Sequence, residues 1–210
     1  MDTAFLITAF VTLFVIIDPI GLAPLFVALT QGMNPQKRRA IAIRACLTGA
    51  LLLIVFAAFG EAVLGFIGIS MPAFRIAGGI LLFLTALDML FERRTKRRED
   101  RIEEEEEDET DDPSIFPLAI PLISGPGAIA TVILLAGENP GAQGLATVIA
   151  VMLSVVAMVL VLFLGAGVLE RALGRTGTNV VTRLLGMLLA ALAVQFVLDG
   201  LHGFGLAAGV

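Results

Sequence analysis

Six stretches of the chain, near residues 4–30, 42–68, 71–91, 114–137, 145–169 and 180–201, each run for more than twenty largely apolar residues. A helix rises about 1.5 Å per residue and a bilayer's hydrocarbon core is roughly 30 Å thick, so each stretch is long enough to cross it. In hydrocarbon every backbone N–H and C=O needs a partner within the protein, which leaves helices or closed barrels. The runs are continuous Leu, Ile, Val, Ala and Phe rather than alternating apolar and polar, and this excludes a barrel. The expected fold class is an all-α membrane protein with six transmembrane helices. The leading "MDTAFLITAF" has an acid, no Lys or Arg, and no small-residue cleavage site behind it, so the first helix is expected to stay in the mature protein.

Charge between the runs orients them. Lys37, Arg38, Arg39 and Arg44 follow the first run; Arg93, Arg94, Lys96, Arg97, Arg98 and Arg101 follow the third; Arg171, Arg175 and Arg183 follow the fifth. Only Arg75 falls on the other side. The positive-inside rule then places both termini outside and the odd-numbered connections in the cytoplasm of a cell-membrane (inner-membrane) protein. The third connection, 92–113, holds twelve acids against six bases. Such a run repels itself and reads as a solvated cytoplasmic loop, with ion binding, partner binding or solubility in high salt as open alternatives.

That loop separates two halves, 1–91 and 114–210, with the same order of features. A Pro/Gly break near 18–24, "GMNP" at 32–35, a span and "RIAGGILL" from Arg75 are answered by a break near 121–127, "GENP" at 137–140, a span and "RLLGMLLA" from Arg183. Gly32 to Arg75 is 43 positions and Gly137 to Arg183 is 46, and a shift of 105 lays one break over the other. Three spans is an odd number, so the second half enters from the opposite face. The expectation is a 3+3 inverted repeat whose first and fourth helices are broken by Pro and Gly.

Proline removes a backbone donor, so a break frees carbonyls on one side and amides on the other. The resuming half-helix aims positive amide ends into the break and the ending half-helix aims carbonyls. Together they suit a small zwitterion. The candidate substrate site comprises Asp18, Pro19, Gly21, Pro24, Ser124, Gly125, Pro126 and Gly127, with glycine admitting close approach to the backbone. Asp18 reads both as the N-cap before Pro19 and as an intramembrane carboxylate for an ammonium group, sodium or a proton, and Ser124 could cap similarly. Asp88, Arg75 and Arg183 are further charge partners for ion or substrate. Glu61, Asp88 and Asp199 lie toward span ends, where snorkelling explains them, and interface anchoring competes at the two arginines.

Cys46 is the single cysteine and His202 the single histidine, so no disulfide framework, Cys-based metal site or H-E-x-x-H site can be assembled. A packing role suits the first and an interfacial one the second. No G-x-x-x-x-G-K-[ST] loop is present, which argues against ATP-driven transport by this chain alone. Neither an enzyme, a cofactor, a metal nor a nucleic-acid partner is expected. The partners are lipid, a small-molecule substrate and Na+ or H+ as coupling ion, and small-residue stretches leave an oligomer open.

The segments "DPIGLAPLF" (18–26), "RIAGGILLFLTALDMLF" (75–91) and "FPLAIPLISGPGAIATVI" (116–133) resemble the MarC family of bacterial and archaeal membrane proteins, over nearly the whole chain apart from the acidic loop. The resemblance implies a six-span, transporter-like protein related to LysE-type amino-acid exporters, with some members described as carrying small neutral amino acids. The family's first motif commonly reads Asp-Pro-Ile-Gly-Asn, and Leu22 stands where that asparagine would be. The leading expectation is a secondary transporter of glycine- or alanine-like zwitterions. A structural or regulatory protein acting through the acidic loop, or an exporter of another small solute, is the alternative.

Overall fold

The computed structural model describes residues 3–91 and 112–205, with residues 167–173 and 175 described as backbone only. The acidic connection expected at 92–113 therefore lies outside the described residues, except for Asp112 and Pro113. The elements are α1 (Thr3–Ile17), α2 (Pro19–Leu29), α3 (Pro35–Ile67), α4 (Met71–Leu90), α5 (Ser114–Ile123), α6 (Pro126–Glu138), α7 (Ala142–Leu164) and α8 (Ala166–Gly203). Among the described residues there is no strand. Among the described residues five helical stretches are long and apolar enough to cross a membrane, α1 with α2 (Thr3–Leu29) counting as one, or six when the pair α5 and α6, bent by 54°, counts as one span.

Two helices start away from the apolar runs. α3 opens at Pro35 rather than near 42, because the Asn34 side chain accepts the Lys37 N–H at 2.8 Å and Pro35 is set for the first helical position. The helix thus carries the basic turn Lys37–Arg44, which hydropathy does not register, and its 33 residues span about 50 Å. α8 departs from helical geometry at Gly174 (φ 59°, ψ −179°), and its apolar part runs Thr176–Gly203. α5 is irregular: Pro117 and Pro121 follow cis peptide bonds, and Leu118 and Ser124 donate to carbonyls five residues back.

Small residues set the packing. α4 and α8 lie antiparallel along most of their length, Gly79 against the Ala193 carbonyl and Val197, Gly186 against Met89 and Ala86, and Gly200 against Pro72 and Ile76. On α3, Gly49 meets Ile123 of α5 and Gly60 meets Ile133 of α6. α3 packs on α5, α6 and α7, while α2 packs on α7 and α8, so helix contacts run mainly between the two halves of the chain. Buried threonines donate their hydroxyls within their own helices, Thr12 to Thr8, Thr30 to Phe26, Thr131 to Gly127 and Thr147 to Gln143. That leaves no hydroxyl proton exposed to apolar surroundings. The outer faces are apolar: Phe66 is 94% exposed and Val161 67%, as a lipid-facing surface requires.

A side chain at Gly79 would fall 2.8 Å from the Ala193 carbonyl oxygen and 3.0 Å from the Val197 nitrogen, both backbone atoms, whereas Gly65 has open space where a Cβ would go. Gly79→Val should lower stability by about 2 kcal/mol or more, and Gly65→Ala should be neutral or slightly stabilising. Thermal unfolding of the detergent-purified protein compares the two; equal midpoints would contradict this account of the α4·α8 seam.

Candidate functional site

At Asp18 the chain turns from α1 into α2 through a left-handed residue, φ 58° and ψ 63°, the one non-glycine at positive φ among the described residues. Asp and Asn tolerate this conformation better than other side chains. The Asp18 N–H still donates to the Phe14 carbonyl at 3.0 Å, and the Asp18 carbonyl accepts from Leu22 at 3.0 Å. In between, helical bonding changes hands. Pro19 has no N–H for the Val15 carbonyl, and the Gly21 N–H, which a continuous helix would give to Ile17, goes to the Asp18 carboxylate at 3.1 Å. Asp18 is 1% exposed and is the one buried ionisable acid or base among the described residues.

The second interruption is built differently. Ser124 lies one residue before the position that caps α6, so it does not cap: both its N–H (2.9 Å) and its hydroxyl (2.7 Å) donate back to the Ala119 carbonyl. Gly125 holds the cap position in extended geometry, φ −71° and ψ 167°, with no side-chain cap. Pro126 opens α6 without a donor, so the free first-turn amides are those of Gly127 and Ala128, both buried. This helix start therefore presents positive dipole ends inside the protein.

The two interruptions are neighbours. The face of Gly127 that a Cβ would occupy is 2.8 Å from Ile16 Cδ1, two residues before Asp18, and 3.6 Å from Leu82 on α4. At Gly21 the corresponding space is filled by the Asp18 carboxylate, and at Gly125 the Pro121 carbonyl oxygen stands 2.6 Å away. Pro19 is buried, Gly21, Pro24 and Gly125 are half-buried, and Pro126 is exposed.

The other expected charges lie elsewhere. Arg75, at the start of α4, pairs with Glu138 at the end of α6 at 3.4 Å. Asp88 and Arg183 lie at the far end of the α4·α8 pair, Arg183 exposed and Asp88 half-buried. None of the three is at the break. Arg44 of α3 pairs with Asp112 at 2.6 Å, both partners largely exposed, a contact worth at most about 1 kcal/mol.

Two features carry no sequence signal of their own. Phe26 of α2 and Phe163 of α7 stack at 4.4 Å between centroids with planes 7° apart, both buried, and the Arg38 guanidinium sits 5.7 Å over the Phe26 ring. At the opposite end of the bundle, the α6–α7 turn and the start of α1 border a cleft lined by Asn139, Gln143 and Thr147. "GENP" registers in the sequence only as a repeat marker, while these side chains meet through the fold.

A bundle of apolar-faced helices with one buried carboxylate at a helix interruption is an integral, multi-pass membrane protein. The sequence profile of the MarC family integral membrane proteins matches residues 3–204, and the chain belongs to that family. It is 37% identical over 204 residues to a UPF0056 membrane protein of Methanocaldococcus jannaschii, covering 97% of this chain and 98% of the relative. Bacillus subtilis YvbG, another UPF0056 membrane protein, is 35% identical over 97% of each chain. The UPF0056 inner membrane protein YhgN of Escherichia coli is 37% identical over 94% of this chain and 96% of its own. No solved structure matches the chain.

Asp18 and Gly21 are coupled in space. Gly21→Ala should displace the carboxylate and lose the cap, lowering stability by about 1–2 kcal/mol, and Asp18→Ala should cost about 1 kcal/mol. Once Asp18 is alanine the methyl at 21 has nothing to strike, so the double variant should lose less than the sum by about 1 kcal/mol. Denaturant unfolding of all four forms gives this difference; strict additivity would contradict the geometry.

Proposed function

We propose that this chain is a secondary transporter, not an enzyme, for small neutral amino acids of the glycine and alanine type, resident in the inner membrane. The observation that carries the reading is the buried Asp18. An aspartate at the centre of a membrane helix costs about 2.5–3.5 kcal/mol, whereas an N-cap contributes about 1 kcal/mol. Asparagine would cap as well and tolerate the left-handed conformation without a charge. Capping and backbone geometry alone do not require an acid at this position, and a cationic ligand would make use of one.

The neighbouring start of α6 supplies the complementary half. The amides of Gly127 and Ala128 would receive a carboxylate, and Asp18 with the carbonyls that end α1 would receive an ammonium group. Small size follows from the setting, since Ile16 and Leu82 crowd Gly127. Sodium or a proton at Asp18 is the corresponding candidate for coupling.

The inverted repeat enters as part of this proposal and is supported by paired packing. α3 lies on α5 and α6 as α7 lies on α1 and α2; α4 lies on α6 as α8 lies on α2; α3·α7 and α4·α8 pair with their own counterparts. Pro19 and Pro126 open equivalent half-helices 107 positions apart. Such symmetry offers two exchangeable conformations around one site. In the orientation set by Lys and Arg, the Phe26 and Phe163 stack under Arg38 closes the cytoplasmic end, and buried Ala9, Leu13, Val148 and Met152 close the path from the other.

Proteoliposomes test this directly. Labelled glycine or L-alanine should exchange across the membrane with saturation, and imposed Na+ or pH gradients should drive accumulation for whichever ion couples. Asp18→Asn keeps cap and backbone and should cut flux at least about tenfold, the scale of 1.4 kcal/mol at the site, without lowering the unfolding midpoint. Absence of flux in either direction would sink the proposal, and undiminished flux in the variant would remove the Asp18 charge from it.

A further inference from the structure

We propose that the cleft between the start of α1 and the α6–α7 turn is a second binding site for a small zwitterionic amino acid, an entry site separate from the break at Asp18. The proposal rests on the transporter reading for its choice of ligand. The cleft encloses about 260 Å³, just below the roughly 300 Å³ at which cavities begin to hold drug-sized ligands. Its occupant is therefore small.

The lining has a consistent chemistry. Asn139, half-buried, Gln143, exposed, and Thr147 supply the polar groups, Phe5 and Leu6 form an apolar wall, and among the described residues no charged side chain lines it. Among the described residues the side-chain amides of Asn139 and Gln143 hold no hydrogen-bond partner, while the Thr147 hydroxyl gives its proton to the Gln143 carbonyl and keeps its lone pairs. Each amide offers a donor and an acceptor. Together they can face a carboxylate and an ammonium group at once, whereas a lone anion or cation would use only half of what each amide offers. Phe5 and Leu6 suit a methyl-sized side chain.

The site is held open by its neighbours. At Gly144 any Cβ would overlap the Asn139 carbonyl, so the turn can sit against α7 only because residue 144 is glycine. Gly137 abuts Met71 and Glu138 pairs with Arg75, which ties the same turn to α4. Thr147, 8% exposed, is the floor, and below it Ala9, Leu13, Val148 and Met152 are buried. Phe5 and Asp18 are thirteen residues apart on the α1 path, about 20 Å. A molecule in the cleft is thus not in contact with the break.

The test uses the full chain in proteoliposomes. In a Cys46→Ala background, Leu6→Cys places a thiol on the cleft wall for a membrane-impermeant maleimide. Glycine or L-alanine should slow its labelling several-fold, equally when Asp18→Asn is added, and betaine of the same concentration should slow it little because it lacks ammonium protons. Gln143→Leu should raise the half-saturation concentration for flux several-fold and leave the maximal rate nearly unchanged. No protection, or protection abolished by Asp18→Asn, would overturn the second site. Protection without any flux in the unsubstituted chain would overturn the transporter reading and leave the cleft in place.

Discussion

Everything in this structure depends on how backbone polar groups find partners where water is absent. A continuous helix solves the problem internally, and most of the chain does this. Each departure comes with a local substitute. Asp18 replaces a lost helical acceptor with its own carboxylate, and Ser124 sends both of its donors to Ala119. The start of α6 is the exception, where Gly125 provides no side-chain acceptor. In a lipid-facing location that would be costly; beside Asp18 and Ile16 it is a place where a ligand can supply the missing acceptor.

The same requirement explains the glycines. With little hydrophobic drive between helices in lipid, close backbone approach and dispersion must hold them together. Gly49, Gly60, Gly78 and Gly79 let Ile123, Ile133, Leu134 and the α8 backbone reach the helix axes they face. Because these contacts join the first half of the chain to the second, the division at the acidic loop separates the halves in sequence without separating them in space.

Much of this was legible beforehand, for identifiable reasons. Transfer free energies reveal long apolar runs, so the long helices could be anticipated, while the left-handed Asp18 sits within a stretch, Thr3–Leu29, that still counts as one span. Hydropathy is blind to capping, which is why α3 begins at Asn34–Pro35, about two turns earlier than its apolar run. Ser124 looked equivalent to Asp18 as a residue near a proline, but one intervening glycine moves it out of capping register and turns it toward Ala119. The Phe26 and Phe163 stack and the cleft at Asn139 and Gln143 join residues far apart in sequence, and single-residue properties cannot announce such meetings.

The two interruptions are not copies of one another, and the difference gives the site a direction. One brings a carboxylate that already holds an amide; the other brings two amides without a side-chain cap. On the proposed transporter reading, a symmetric ion would satisfy only one of them, whereas a zwitterion would satisfy both in a single orientation, ammonium toward Asp18 and carboxylate toward Gly127 and Ala128. Ile16 and Leu82 stand against Gly127, so on that reading only a ligand with a very small side chain fits between the two helix ends. Selectivity for small neutral amino acids would thus arise from the unequal chemistry of two related helix ends, with size exclusion set by the apolar residues between them.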